Sequence, residues 1–226
     1  TDGCNIHWTL MRAALASASE SAPRDLDPEV LASVKYAIGR TLSSLGVYDR
    51  AKQDLEESLA IRARLLGARH RDTLLVRHAL ASLDVTRARA AQGGEAFELL
   101  LKDAEESLAK DDPLIPAILD MLGQCRRATG DLAGAREVLE RALEIRTRML
   151  GENNGETLAT LRNLGGVYAK QKESELATST LTRAYERTRG AFGSDHHLTS
   201  LAGQDLGAGL REIGKLEEAE GHLEGA

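Results

Sequence analysis

The chain has 226 residues, of which only 3% are aromatic, and it carries a formal net charge of −6. An excess of acidic groups disfavours nucleic acid as a partner, because phosphate contacts require a basic surface. No apolar run approaches the roughly 20 residues that a membrane-spanning helix needs, so no membrane association is expected. Few prolines and few aromatic residues favour an all-α protein with a core of small aliphatic side chains.

The first predicted element is a lone helix from Trp8 to Ser19. We interpret residues 1–27 as this leading helix, which is a partial repeat or a cap on the array that follows. Because the chain begins with Thr rather than Met and ends in mid-repeat, we expect it to be a processed product or a fragment of a longer protein.

From residue 28 onward the sequence repeats every 42 residues. In each regular repeat a glycine is followed at constant spacing by an alanine and then a leucine, beginning with Gly39, Ala51 and Leu55. The glycine recurs as Gly123, Gly165 and Gly207. Apolar residues spaced three and four apart predict two helices per repeat, and the small residues mark where the two helices cross closely.

A helical hairpin of this kind cannot bury its apolar faces alone, so neighbouring hairpins must stack. The expected hairpins are approximately 28–67, 70–111, 113–151, 155–193 and 197–226.

Glycines also mark the predicted helix ends. Gly46, Gly130 and Gly214 are expected to cap the first helix of a pair in the left-handed conformation. The second helix is expected to end in the same way at Gly67, Gly151 and Gly193, each followed six residues later by Thr.

The second repeat departs from this spacing in the alignment. Residues 105–109 match residues 56–60, which assigns Leu100 and Ala104 to the crossing, seven positions late. This alignment predicts an insertion at residues 91–95, in the form of a longer helix or a protruding loop.

The segment Leu164-Gly165-x-x-Tyr168, followed by Ala177-x-x-x-Leu181, resembles the tetratricopeptide repeat, and the resemblance covers residues 28–226. The longer second helix, which runs through residues 142–146 to Gly151, is similar to the 42-residue repeat of kinesin light chains. The resemblance implies a right-handed α-α superhelix of about five hairpins that binds a protein or peptide. Residues 24–67 also look like the arrays that follow the catalytic domain of bacterial serine/threonine kinases.

No catalytic or cofactor motif accompanies the repeats, so we expect the chain itself to be no enzyme and to hold no cofactor or metal. His70, Asn154 and His196 share one repeat position, which indicates the start of a helix rather than a reactive site. Arg62 and Arg146 also share a repeat position, as do Arg64 and Arg148, and we expect these arginines to form weak surface pairs with nearby glutamates. The isolated Cys4 and Cys125 favour a reducing compartment and hence the cytoplasm.

The face of each first helix that points away from its partner helix is the candidate binding surface, because stacked hairpins present it on their concave side. The candidate partner-binding residues are Tyr36, Arg40, His78, Asp120, Gln124, Arg127, Arg162, Asn163, Gln204 and Arg211, with Ser43, Ser82, Gly166 and Asp205 on the same face. In the resembling family an Asn at the position of Asn163 grips the backbone of a bound peptide.

The sequence therefore favours a scaffold or adaptor module that binds a partner protein or peptide in a groove. One alternative is the regulatory region of a longer signalling enzyme, such as a bacterial serine/threonine kinase. Another is a module that self-associates through the ends of its array.

Overall fold

A computed structural model of the protein describes residues 26–86 and 89–215. The leading helix predicted at residues 8–19 and the last predicted helix, after Gly214, lie outside the described residues. The described part is all-α and contains no strand. Its helices are α1 (Pro28–Ser44), α2 (Tyr48–Leu66), α3 (Arg71–Thr86), α4 (Ala90–Ser107), α5 (Leu114–Thr129), α6 (Leu132–Leu150), α7 (Gly155–Lys170), α8 (Ser174–Phe192) and α9 (His197–Glu212).

The chain divides into two compact units, unit 1 (Thr1–Leu108) and unit 2 (Ala109–Ala226). In unit 1, each of the helices α1 to α4 packs against the next, and α1 also contacts α3. In unit 2, consecutive helices from α5 to α9 pack in the same way, and α7 also contacts both α5 and α9. The helices α5, α7 and α9 therefore lie side by side in one layer of unit 2, and α6 and α8 form the other. Within the described ranges no helix has the length and apolar content needed to cross a membrane.

The small residues predicted at the helix crossings are confirmed. A Cβ atom placed on Gly39 would lie 2.8 Å from Leu55 Cγ, and one on Gly123 would lie 2.5 Å from Leu139 Cγ. Both leucines are fully buried. Glycine is thus required at these positions because the leucine of the second helix fills the space that any side chain would occupy.

Left-handed caps end the first helices, as predicted. Gly46 has φ 77°, its N–H donates to Ser43 O, and the following N–H donates to Leu42 O, which is a Schellman cap. The same position in the fourth repeat is held by Lys172, which adopts φ 62° without being glycine.

The prediction for the ends of the second helices is partly wrong. Gly67, Gly151 and Gly193 do have positive φ, but their ψ values of 160° to 165° are extended rather than left-handed helical. This region of backbone conformation is open almost only to glycine. The chain therefore leaves the second helix abruptly instead of curling around its end.

The shared position of His70, Asn154 and His196 begins a helix, as predicted. The side chain of each accepts a hydrogen bond from the backbone N–H two residues later, over 3.2, 2.9 and 3.2 Å. Asp112 occupies the same repeat position and accepts from Leu114 N–H over 2.9 Å. These four side chains satisfy N–H groups that have no partner within the helix.

The threonine that follows each second-helix glycine has a structural role. The hydroxyl of Thr199 donates to Gly193 O over 2.6 Å, and that of Thr73 makes the same bond to Gly67 O over 2.8 Å. Thr157 is equally buried, but its hydroxyl has no hydrogen-bond partner among the described residues.

The predicted insertion in the second repeat is wrong. Residues 91–95 lie in the first turns of α4, and α3 and α4 keep the 42-residue register of the other pairs. The two small residues are exchanged: Ala81 stands at the usual Gly position and Gly93 at the usual Ala position, where a Cβ atom would lie 2.5 Å from Val85 Cγ2. The fully buried Phe97 replaces the usual leucine.

Candidate functional site

Three of the predicted binding residues lie in unit 1. The half-buried ring of Tyr36 faces two guanidinium groups, with the Arg62 Cζ 5.0 Å and the Arg40 Cζ 5.7 Å from the ring centre. Arg40 itself is exposed. The half-buried His78 packs edge-on against Phe97, with the ring centres 5.4 Å apart. Each of the two rings is thus engaged within unit 1.

The remaining predicted residues lie in unit 2, where Asp120 is part of a buried network. Arg146 Nη1 donates to Asp120 Oδ2 over 2.6 Å and also reaches Thr160 Oγ1 and Glu156 O on α7. Only 5% of Arg146 is exposed. Arg146 does pair with a glutamate as expected, with its Nε 3.5 Å from Glu156 Oε2. The expectation that this is a weak surface pair is wrong, because the side chain joins three helices from the interior.

Pairs of residues one repeat apart connect neighbouring first helices in unit 2. Asn163 Nδ2 on α7 donates to Asp120 Oδ1 on α5 over 3.4 Å. One repeat further on, Arg162 Nε lies 2.8 Å from Asp205 Oδ2 on α9, and the Arg162 side chain is only 10% exposed. Three predicted binding residues are thus partly occupied in holding the layer of first helices together.

A cavity of about 140 Å³ opens on this layer. We call it the Arg127 cavity. Its lining comes from α5, α7, α8 and α9 and consists of Arg127, Arg162, Asn163, Gly166, Ala169, Lys170, Leu181, Asp205, Ala208, Gly209 and Glu212. The structure thus gathers Arg127, Arg162 and Asn163, which the sequence predicted, in one place.

Other predicted residues of unit 2 do not line the cavity. Gln124 turns its amide towards Met121, with Nε2 3.8 Å from the sulfur. Gln204 and Arg211 are exposed on α9, outside the lining. Asp120 is linked to the cavity only through its hydrogen bond with Asn163.

The rim of the cavity carries both charges. Lys172 donates a hydrogen bond to Glu212 over 3.0 Å, and this bond, with the positive charges of Lys172 and Lys170, lowers the pKa of the Glu212 carboxyl below its usual value. Asp205 is paired with Arg162. Arg127 makes no hydrogen bond or ion pair with any described residue, although its Nη1 lies 3.5 Å from where a Cβ on Gly166 would be. Arg127 and the exposed Lys170 are thus the lining cations that make no hydrogen bond or ion pair with the described residues.

The lining of the Arg127 cavity includes no Ser, Cys or His, but it does include the side chains of Lys170, Asp205 and Glu212. Across residues 26–86 and 89–215 no group of three potential metal ligands occurs. What the lining offers a ligand is the Arg127 guanidinium, the Lys170 amine and the Asn163 side-chain amide.

Sequence reasoning missed Lys170, Leu181, Gly209 and Glu212. Leu181 belongs to the repeat position that fills the core and is only 1% exposed, and nothing in the sequence pattern marks it as part of a cavity wall. Its Cδ1 occupies the space of a Cβ on Gly209, so it reaches the cavity only because that residue is glycine. The sequence did carry one signal of this cavity wall: the repeat position held by Val167 is held one repeat later by Gly209.

Comparison with known proteins decides the family. Residues 156–226 match one description of the tetratricopeptide repeat, and residues 31–72 and 117–155 match another. Together these segments cover more than half of the chain. The chain belongs to the tetratricopeptide repeat family.

Solved structures of other tetratricopeptide repeat proteins share this fold. A putative kinesin light chain of Podosopora anserina with TPR-like repeats is 23% identical, with a TM-score of 0.72 over 88% of this chain and 94% of that one. BtubC (BKLC) of P. vanneervenii is 21% identical, with a TM-score of 0.77 over 96% and 88%. YrrB, described as a TPR protein with an unusual peptide-binding site, is 18% identical, with a TM-score of 0.52 over 94% and 90%. No curated protein matches the sequence.

The predicted fold class, an all-α tetratricopeptide solenoid of the kinesin-light-chain type, is thereby confirmed. At these identities the similar structures establish the fold alone.

Proposed function

We propose that this tetratricopeptide repeat protein is a non-enzymatic binding module that holds a peptide segment of a partner protein against the α5–α7–α9 layer of unit 2. The observation that carries the proposal is the Arg127 cavity, which combines an unengaged guanidinium with the Asn163 amide on the layer of first helices. A peptide offers backbone hydrogen-bonding groups that can pair with both side chains. The peptide-binding site named for YrrB, which has the same fold, supports the choice of ligand.

Selection of peptides on the intact chain tests the proposal. Random linear peptides displayed on phage are panned against the immobilised protein, and the affinities of selected peptides are measured by fluorescence polarisation. We expect Arg127→Ala to weaken binding tenfold or more, because a hydrogen bond to a charged group contributes about 1.5 to 3 kcal/mol. The matched control is Arg183→Ala, which removes the same group from an exposed position on α8.

Two outcomes would contradict the proposal. If panning enriches no peptide, the chain is not a peptide-binding module of this kind. If selected peptides bind Arg127→Ala and the original chain equally, the binding surface lies elsewhere. Attachment to a serine/threonine kinase and self-association remain hypotheses from the sequence, which the parent gene sequence and light scattering test.

A further inference from the structure

We propose that His196 makes the start of α9 sensitive to mild acid: the first turn of this helix is held near neutral pH and loosens when the His196 ring takes up a proton. The inference is independent of the proposed function, because it concerns the folding of α9 and not its ligand. It is carried by the hydrogen bond of the His196 ring, by the rings packed against it and by the side chains at the same repeat position of other hairpins.

The hydrogen bond at the start of α9 requires a neutral ring. His196 Nδ1 accepts from the Leu198 N–H over 3.2 Å. This N–H is one of those at a helix start that have no partner within the helix. A ring nitrogen accepts only while it carries no proton, and both ring nitrogens of the imidazolium ion are donors. Protonation of Nδ1 therefore removes the bond and turns a second donor towards the Leu198 N–H.

The surroundings of the ring add repulsion to this loss. The ring of His197 lies 4.5 Å from that of His196, measured between centres, and two imidazolium ions at this distance repel each other. The N-terminal end of α9 also carries partial positive charge from its aligned peptide dipoles. From α8, the ring of Phe192 stacks on His196 at 5.1 Å and so holds the imidazole in this position.

Three helices meet at this point. A Cβ atom on Gly155, the first residue of α7, would lie 3.5 Å from Phe192 Cζ at the end of α8 and 3.6 Å from Leu198 Cδ1 in α9. The charged residues of these helix ends and of the loops beside them are Glu152, Glu156, Arg187, Arg189 and Asp195.

None of these groups forms an ion pair with His196. The two glutamates are already paired with arginines, and the Arg189 guanidinium lies over the Tyr185 ring, 5.4 Å from its centre. Asp195 precedes His196 in the chain, but it is exposed and forms no ion pair with any described residue. A proton on His196 therefore gains no carboxylate partner among the described residues to replace the lost hydrogen bond.

Acid consequently weakens the start of α9. In the unfolded chain the ring takes up a proton without giving up a hydrogen bond. The unfolded state thus binds more protons as the pH falls through the range in which histidine changes charge, about pH 8 to 5, and stability falls with it. The contribution of the His196 hydrogen bond is present at the upper end of this range and lost at the lower end.

The preceding repeat shows that a titrating group is not required at this position. Asn154 starts α7 there, and its side-chain oxygen accepts from the Glu156 N–H over 2.9 Å. An amide oxygen remains an acceptor throughout the range in which histidine is protonated. Asparagine therefore makes the same bond without the pH dependence.

His70 at the start of α3 provides an internal comparison. Its Nδ1 accepts from the Asp72 N–H over 3.2 Å, and Asp72 Oδ2 lies only 3.9 Å from the same nitrogen. The neighbouring cations in the chain are Arg69, which is paired with Asp103, and the exposed Arg71. After protonation His70 can pair with the Asp72 carboxylate, so the response of α3 to acid should be smaller than that of α9.

The variant His196→Asn tests the inference, because it keeps the acceptor and removes the titrating ring. Amide hydrogen exchange of the intact chain is followed by NMR at about pH 7.5 and about pH 5.5, on either side of the ordinary histidine range. Protection factors for residues 199–202 correct for the intrinsic effect of pH on exchange. In the original chain we expect them to fall roughly fivefold on acidification, which is the effect of losing a typical N-cap. In His196→Asn they should stay constant.

His70→Asn is the matched control, since it makes the same substitution at the same repeat position of α3. It should retain the acid response of α9. The inference is overturned if the protection of α9 in the original chain does not change with pH, or if His196→Asn loses as much protection as the original chain. It is also overturned if His70→Asn abolishes the response, because the sensitive group then lies at α3. All of these readouts are made without a peptide, so they stand whether or not the proposed function does.

Discussion

Adding one methyl group at Gly123 tests whether the 42-residue period reflects close helix crossing. In the variant Gly123→Ala, the new carbon would lie 2.5 Å from Leu139 Cγ and 2.8 and 3.1 Å from its two methyl carbons. Leu139 is fully buried, so it has no free space into which to move. The conflict therefore has to be relieved by shifting α5 away from α6.

The expected magnitude is the balance of two effects. Overpacking a core by one methyl group costs about 1 to 3 kcal/mol. Alanine in place of glycine within a helix offsets about 1 kcal/mol of that cost. Because the first contact is with a buried branch carbon, we expect the upper part of that range and a net loss of about 1 to 2 kcal/mol in the free energy of unfolding. A chain of this length then unfolds about 2 to 4 °C lower for each kcal/mol.

Gly190→Ala is the matched control. It makes the same substitution within α8 at an exposed position where a Cβ atom would meet nothing within 4 Å. Urea titration and thermal unfolding, both followed by circular dichroism, should show Gly190→Ala equal to or more stable than the original chain. If Gly123→Ala is as stable as Gly190→Ala, helix crossing does not explain the recurring glycine.

Three further changes have defined expectations. In a urea titration, Thr199→Val should lower the free energy of unfolding by about 1 kcal/mol because it removes a buried hydrogen bond. Thr157→Val should be neutral or stabilising in the same titration, because the Thr157 hydroxyl has no partner among the described residues. Equal losses of stability in the two variants would contradict this assignment. Lys172→Gly should be more stable than Lys172→Ala by about 1 to 2 kcal/mol in urea titration, because both variants lose the hydrogen bonds to Glu212 and only alanine keeps the strain of φ 62°. Equal stability of the two variants would refute it. A hydrogen bond from Arg77, together with nearby positive charge, lowers the pKa of the Asp103 carboxyl below its ordinary value of 3.8. The ionised carboxylate therefore stabilises the fold above pH 3.8, and this stabilisation is lost as the pH falls through the lowered pKa. Asp103→Asn should therefore show a smaller loss of stability on acidification than the original chain, measured by urea unfolding at successive pH values, and an unchanged pH dependence would argue against the pairing.

Much of the fold could be predicted because the repeat places sterically demanding contacts at a fixed period. The pairs Gly123 with Leu139 and Gly39 with Leu55 are visible in the sequence, since a close crossing leaves few choices of residue. The helix-starting position could also be predicted, because His, Asn and Asp all carry a hydrogen-bond acceptor that reaches the backbone N–H two residues later.

The second repeat was aligned wrongly because the glycine at a helix crossing can lie on either of the two helices, with alanine on the other. Ala81 and Gly93 provide the same clearance as a Gly and Ala in the usual order, but their identities no longer match. A five-residue likeness on an exposed helical face then outweighed the true register. Packing constrains the combined size at a crossing, and sequence identity does not measure that quantity.

The site was predictable only in part. The repeat position identified Arg127, Arg162 and Asn163 as members of one face. It could not show that Arg162 pairs with Asp205 while Arg127 stays unengaged, because pairing depends on side-chain conformations between helices. Nor could it show that Leu181 reaches the cavity, since that depends on the absence of a side chain at Gly209.

The polar pairs that join neighbouring first helices give the repeats of unit 2 a fixed order. The step from α5 to α7 joins a carboxylate to an amide, and the step from α7 to α9 joins a guanidinium to a carboxylate. If the hairpin that begins with α7 were duplicated, Arg162 of the first copy would face Asn163 of the second and lose its ion pair. These hairpins are alike in backbone yet not interchangeable, because an array with a duplicated hairpin would lack this ion pair even where every helix still packs.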